Sequence, residues 1–148
     1  MLLIAVGKLR AGPERTLFDR YAIRLRPKLD VREIAEAPGP GHEAKRREGA
    51  AILAAIPEGA LAVAMDLAGQ SMTSEAFAAQ LTRWTEHPKP LVFMIGGAEG
   101  LSDAVLARAG VRLALGPLTW PHMLARILLV EQIYRGQSIA AGHPYHRG

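Results

Sequence analysis

The sequence predicts an α/β fold: a mainly parallel sheet of about five strands flanked by helices, in a single domain over residues 1–148. Three observations predict it. Short apolar runs alternate with longer helix-like segments along the whole chain. Gly and Pro punctuate most of the junctions, and no linker, repeat or low-complexity stretch divides them. The run Leu91-Val92-Phe93-Met94-Ile95 is apolar at every position, which suits a buried central strand.

The elements follow in order. Leu2 to Val6 reads as a buried strand ending at Gly7-Lys8. Pro13 fits the first turn of a helix to about Leu25, because the N–H it lacks is unsatisfied there anyway. Leu17, Tyr21, Ile23 and Leu25 supply its apolar side, and Pro27 ends it. Leu29 to Ala35 alternates imperfectly and reads as a strand. Pro38 to Gly41 is a loop, and His42 to Ile56 is a helix with its charges first. Ala60 to Met65 is a strand closing at Asp66, and Leu67 to Met72 a loop around Gly69. Thr73 or Ser74 caps a helix to about His87. Ser102 is placed to cap Asp103 to Ala109, with Gly110 as its stop. Val111 to Leu115 is the last strand, and Pro121 opens a final helix to about Ile139. The tail from Gly142 to Arg147 is irregular.

Composition narrows the class. Hydrophobic residues make up 49% of the chain and aromatics 5%, so the core is built from Ala, Leu and Ile. There is no Cys, which excludes a disulfide framework and a thiolate metal site. No apolar stretch reaches the roughly 18 residues a membrane span needs. The reading is therefore a soluble, cytoplasmic protein with no membrane partner. A formal net charge of +4 permits an anionic partner such as nucleic acid. Arg10, Arg15, Arg20, Arg24, Arg26 and Lys28 crowd the first helical region, and Lys45-Arg46-Arg47 opens the second.

Two permissive loops stand out, Gly96-Gly97-Ala98-Glu99-Gly100 and Gly116-Pro117-Leu118-Thr119-Trp120-Pro121. Each follows a predicted strand, and in open α/β sheets that edge is where ligands bind. The glycine spacing is not that of a dinucleotide fingerprint, and no acid follows at the required distance. It suits a tight strand-to-helix turn, or a backbone bared so that its amides can meet a flat ligand. His143 and His146 have Pro144 between them and neither carboxylate nor Cys nearby, so no metal is expected. Glu131 and Arg135 stand four apart on the last helix and should pair. Arg126 has no such partner and reads as free to reach an anion. The last helix is apolar on a broad face that includes Ile127, Val130 and Tyr134, which suits either an internal helix or a subunit interface.

Taken in order, Val6-Gly7-Lys8, Ile95 to Leu101, Leu118-Thr119 with Pro121-His122, Val130 to Arg135 and Gly142 to Arg147 carry a resemblance over essentially the whole chain. The sequence resembles the RlmH family of SPOUT-class methyltransferases. Trp120 and Met123 depart from the Leu or Phe, and often Pro or Gln, expected there. The resemblance implies a C-terminal trefoil knot and a homodimer. It also implies S-adenosyl-L-methionine as methyl donor and N3 of a pseudouridine in large-subunit ribosomal RNA as acceptor. The family's cofactor contacts fall on Met65, Gly97, Gly116, Pro117, Leu118, Thr119, Trp120 and Pro121. The tail offers His143 and His146 to handle the N3 proton and Tyr145 to stack on the base. Arg126 and Arg147 are expected to hold phosphates. Rival readings are a non-enzymatic ribosome-associated RNA-binding protein of the same fold and a flavodoxin-like nucleotide enzyme.

Overall fold

Every apolar run expected to form a strand does so, and helices occupy the segments between. The computed structural model describes residues 1–146. Its elements are β1 (Leu2–Val6), α1 (Pro13–Ala22), β2 (Asp30–Ile34), α2 (Gly41–Ala55), β3 (Leu61–Ser71), α3 (Ser74–Glu86), β4 (Leu91–Ile95), α4 (Asp103–Arg108), β5 (Val111–Ala114) and α5 (His122–Ala140). The five strands form one sheet in the order β2-β1-β4-β3-β5, and every pairing is parallel. All five C-terminal ends therefore lie along one edge.

The burial pattern explains the order. All of β4 is buried, and β1 is buried after its first residue, so both need cover on two faces. One face is covered by α1, α3 and α5, where Leu3, Phe93 and Ile95 pack with Phe77, Trp84, Leu129 and Ile133. The other is covered by α2 and α4, where Ile4, Val92 and Met94 pack with Ile52 and Val105. The edge strand β2 is exposed at its first four residues, which is why its alternation is imperfect.

Three local expectations are corrected, and one left open is narrowed. First, α1 stops at Ala22, and Arg26 donates its backbone N–H to Gln137 Oε1 at 3.0 Å. Its buried residue is Phe18, while Leu17 and Ile23 are exposed, because Phe18, Tyr21 and Ala22 are the positions that share the inward face. Second, Leu67 to Met72 is not a loop. β3 continues to Ser71 through an irregularity: Met65 and Gln70 both face Leu113 of β5, and the residues between bulge outward. Gly69 allows this, because a Cβ there would lie 2.7 Å from the backbone of Arg112 and Leu113. Third, Ser102 makes no side-chain cap. It faces α2, where Gly49 leaves room for its hydroxyl. Thr73 does cap α3, accepting from the Ala76 N–H at 3.2 Å. Of the two readings left open for α5, the internal one holds for most of its broad apolar face: Ile127, Leu129, Val130 and Ile133 are buried between α1, α3 and the sheet. Gly136 lets α5 approach α3, since a Cβ there would stand 3.2 Å from Leu81 Cδ2. No helix among the described residues is long and apolar enough to cross a membrane.

Candidate active site at the C-terminal edge of the sheet

The bulge in β3 and the segment after β5 face each other across two adjoining cavities. The smaller, about 120 Å³, is lined by Met65, Asp66, Gly116, Leu118, Thr119 and Trp120, among others. The larger, about 300 Å³, shares Gly116 and Trp120 and runs on to Met72, Phe77, Leu128 and Gln132. Gly116 has φ +97, a conformation other residues adopt only under strain, and it turns the chain straight out of β5. Trp120 folds back over this turn and donates its indole N–H to Leu115 O at 3.2 Å. The walls are mostly apolar, and Asp66 is the single carboxylate lining either cavity among the described residues. Flat apolar faces with a few hydrogen-bonding groups suit a nucleoside.

Sequence reasoning thus named five residues that share a cavity, Met65, Gly116, Leu118, Thr119 and Trp120. Pro117 and Pro121 are exposed and line neither cavity; Pro121 is the N-cap of α5. Gly97 also lines neither. Its missing side chain makes room for protein: a Cβ there would lie 2.8 Å from Glu48 Oε2 and 3.1 Å from Val6 Cγ1. Glu48 is buried and accepts the Ala37 N–H at 3.0 Å. The Gly97 turn therefore rests on α2, whatever else its backbone meets.

The expectation for Arg126 is corrected. Its side chain is 1% exposed, so it does not project to solvent as a phosphate contact. It reaches across to β1, where its guanidinium donates to Gly7 O at 2.7 Å and to Val6 O, with Glu33 Oε1 at 3.4 Å. Burial draws its pKa below the usual arginine range, while the Glu33 charge pulls it back up. The helix showed no partner at four-residue spacing because the partner lies in β2, distant in sequence.

The tail folds back along α5. Gly142, with φ +65, makes the turn, and the His143 N–H donates to Ser138 O at 2.8 Å. Tyr145 donates its hydroxyl to Glu131 Oε1 at 2.9 Å and packs edge-on against Tyr134, with Arg135 over its ring. His146 lies 2.8 Å from Glu75 Oε1 and 3.3 Å from the Arg135 guanidinium. Glu131 and Arg135 pair as expected, at 2.6 Å. Burial, then hydrogen bonding with Tyr21 and Glu131, pushes the Tyr145 phenol well above its ordinary value. Glu131 also accepts from the Gln132 amide at 2.6 Å, and Gln132 lines the larger cavity. A continuous polar path therefore joins the tail to the cavity. His143 is exposed and its ring nitrogen accepts the Tyr145 N–H at 3.2 Å. Arg147 lies outside the described residues.

Comparison with known proteins gives the family. The family described as "Predicted SPOUT methyltransferase" matches residues 1–146. The chain belongs to the SPOUT methyltransferase family. A SPOUT relative from Gluconacetobacter diazotrophicus, named "Ribosomal RNA large subunit methyltransferase H", is 56% identical over 99% of this chain and 97% of its own length. A relative of the same name from Rhodospirillum centenum is 51% identical over 98% of this chain and 97% of its own. Among solved structures, TrmJ from Z. mobilis covers 93% of this chain and 70% of its own, with TM-score 0.57 at 18% identity. A probable methylase family protein from Haemophilus influenzae covers 99% of this chain and 70% of its own, with TM-score 0.58 at 8% identity. These two show the shared SPOUT fold alone.

For a SPOUT methyltransferase, the residues that sequence reasoning left out of the site are instructive. Asp66 was in view as the end of a strand, and Gln132 is a polar residue within the apolar run of the last helix. A polar residue in either place was the available signal. Glu75 gave none, because it lies far along the chain from the tail it meets.

Proposed function

We propose that the chain transfers a methyl group from S-adenosyl-L-methionine to N3 of a pseudouridine in large-subunit ribosomal RNA. The observation that carries the reading is the near full-length match to relatives named for ribosomal RNA methylation, at 51% and 56% identity. The two adjoining, mostly apolar cavities at the strand ends support it.

S-adenosylmethionine supplies an electrophilic methyl carbon on a sulfonium. In this reading Met65, Leu118 and Trp120 would cover the faces of adenine, backbone amides near Gly116 would read its edge, and Asp66 would accept from ribose hydroxyls. Gly97 and Pro117 to Pro121 keep the two loops in register around it. Methyl transfer to N3 would require the N3 proton to leave before or during attack. Positioning and exclusion of water carry most of the rate. The proton is assigned to His143, His146 or a water they hold. Tyr145, with its raised pKa, serves as a donor and an aromatic platform, not as a base. Arg147 is assigned a phosphate, and a trefoil threading of the segment after β5 belongs to the same reading.

A homodimer also belongs to it. Leu118, Trp120 and Leu124 stay exposed around the start of α5, at 68%, 41% and 40%. This is the apolar surface a second copy would cover. The compartment is the cytoplasm, where such ribosomes are.

The test is methyl incorporation into ribosomes from cells lacking this modification, followed by digestion and mass spectrometry. The expected product is one 3-methylpseudouridine per large subunit. Ribosome binding without methyl transfer would favour the non-enzymatic binding protein instead.

A further inference from the structure

A groove of about 460 Å³ runs between α2 and α4, on the side of the sheet away from α5. One wall carries the cations Lys45 and Arg46 beside His42. The floor is apolar, with Ala50 and Leu53, and Ser102 and Asp103 stand opposite. Lys45 and Arg46 make no ion pair among the described residues, whereas Arg47 of the same turn is engaged with Glu43 at 3.4 Å. Asp103 is the single carboxylate of the lining.

Position distinguishes this groove from the other basic surface. Because α2 follows directly from the end of β2, its basic turns lie at the edge where all five strands end. The Gly41 backbone packs on Glu99 of the loop after β4, since a Cβ at Gly41 would stand 2.9 Å from the Glu99 carboxyl carbon. The groove thus opens beside the Gly96–Gly100 turn. The cations near the end of α1 lie at the opposite edge: Lys28 O accepts from the Met1 amino group, at the start of β1. Several are already engaged. Arg24 sits over the Tyr134 ring, and Arg26 donates to the carbonyls of Ile23 and Leu25.

We propose that the groove between α2 and α4 holds the sugar–phosphate backbone of the ribosomal RNA strand beside the target nucleotide, with Lys45 and Arg46 on its phosphates. The inference rests on the methyltransferase reading above and names the surface that carries its substrate. Phosphate contacts fix register and orientation and carry no sequence information. The apolar floor gives the sugars and bases a surface to lie on. Asp103, at the far wall, repels phosphates and keeps the backbone to the α2 side.

The test is the double variant Lys45→Glu/Arg46→Glu, assayed for methyl incorporation on unmodified ribosomes over a salt series. Its KM for ribosomes should rise by about 10-fold or more while kcat and S-adenosylmethionine affinity stay within about twofold. The slope of log affinity against log salt should shrink by roughly two, about one for each phosphate no longer neutralised. Lys45→Gln/Arg46→Gln should fall between this variant and wild type. Arg20→Glu/Lys28→Glu makes the same change in charge at the opposite edge and should have the smaller effect. An unchanged KM in the first variant, or an equal rise in the Arg20/Lys28 variant, overturns the groove. A rise on ribosomes with unchanged binding to deproteinised ribosomal RNA also overturns it, and assigns the surface to a ribosomal protein. Wild-type protein that leaves ribosomal RNA unmethylated overturns the methyltransferase reading itself.

Discussion

Arg126 is the largest fully buried side chain in the described residues, and it is charged. Such a group is tolerated only when most of its donors are used, and here its two terminal nitrogens close on Glu33 and on the carbonyls of Val6 and Gly7, while Nε has no partner among the described residues. Arg126→Ala should cost about 3 kcal/mol or more, since it empties a buried site and takes the side-chain donor from two carbonyls, while Glu33 keeps the Leu9 N–H. Urea unfolding checks this, and a loss below about 1 kcal/mol would show the interaction to be weak. At temperatures where the variant is folded, the salt dependence of its ribosome binding should match that of wild type, as expected of a side chain that meets no phosphate. Tyr145 gives a second prediction at this scale. Its pKa is raised on folding, so its contribution is complete below about pH 10, the unfolded value, and is lost as pH rises through the folded value. An absorbance titration of wild type minus Tyr145→Phe should show a tyrosinate component ionising above the ordinary range. A component at the ordinary value would mean that the tail does not dock on Glu131.

Among the elements, β3 decides the shape of the cavity. Its bulge turns Asp66 and Leu67 out beside Met65, and the strand then returns to β5. Gly69 is the point of return, where backbone meets backbone and no side chain can give way. Gly69→Ala should destabilise the fold by about 1–3 kcal/mol, the usual cost of forced overpacking. It should also weaken S-adenosylmethionine binding more than an alanine at an exposed α3 position does. Calorimetry and a thermal melt on the same preparation check both, and wild-type behaviour in both would place the return elsewhere. Gly97→Val, by contrast, is a poor probe of the cofactor, since its side chain would meet Glu48 and Val6 before any ligand.

For the whole molecule the question is how the tail and the cavities cooperate. Tyr145 and His146 join α5 to the start of α3 through Glu131, Arg135 and Glu75, beside the larger cavity. Removing the residues after Gly142 should abolish methylation and leave cofactor affinity within about threefold, because Tyr145 meets the cavity only through Glu131 and Gln132. Methyl incorporation and calorimetry on the truncated protein check this. Full activity would discard the tail as a functional element, and lost affinity would make it a clamp for Glu131 and Gln132. Light scattering at micromolar concentration tests the dimer, which a monomer would exclude.

What the sequence determined by itself was local. Runs such as Leu91 to Ile95 and Leu2 to Val6 are apolar throughout, so they had to be buried strands. The alternation with helices then required parallel pairing. Gly116 and Trp120 were legible as members of a permissive loop after a strand, and both line the cavities there. Tertiary structure alone decided the rest. It buried Arg126 against β1 and Glu33, gave Gly97 to Glu48, carried β3 through a bulge, and spent Ile127 and Val130 on the chain's own core. Each of these depends on a partner many residues away. Spacing along one element reports which face a residue shares, and only the packed sheet reports what that face meets.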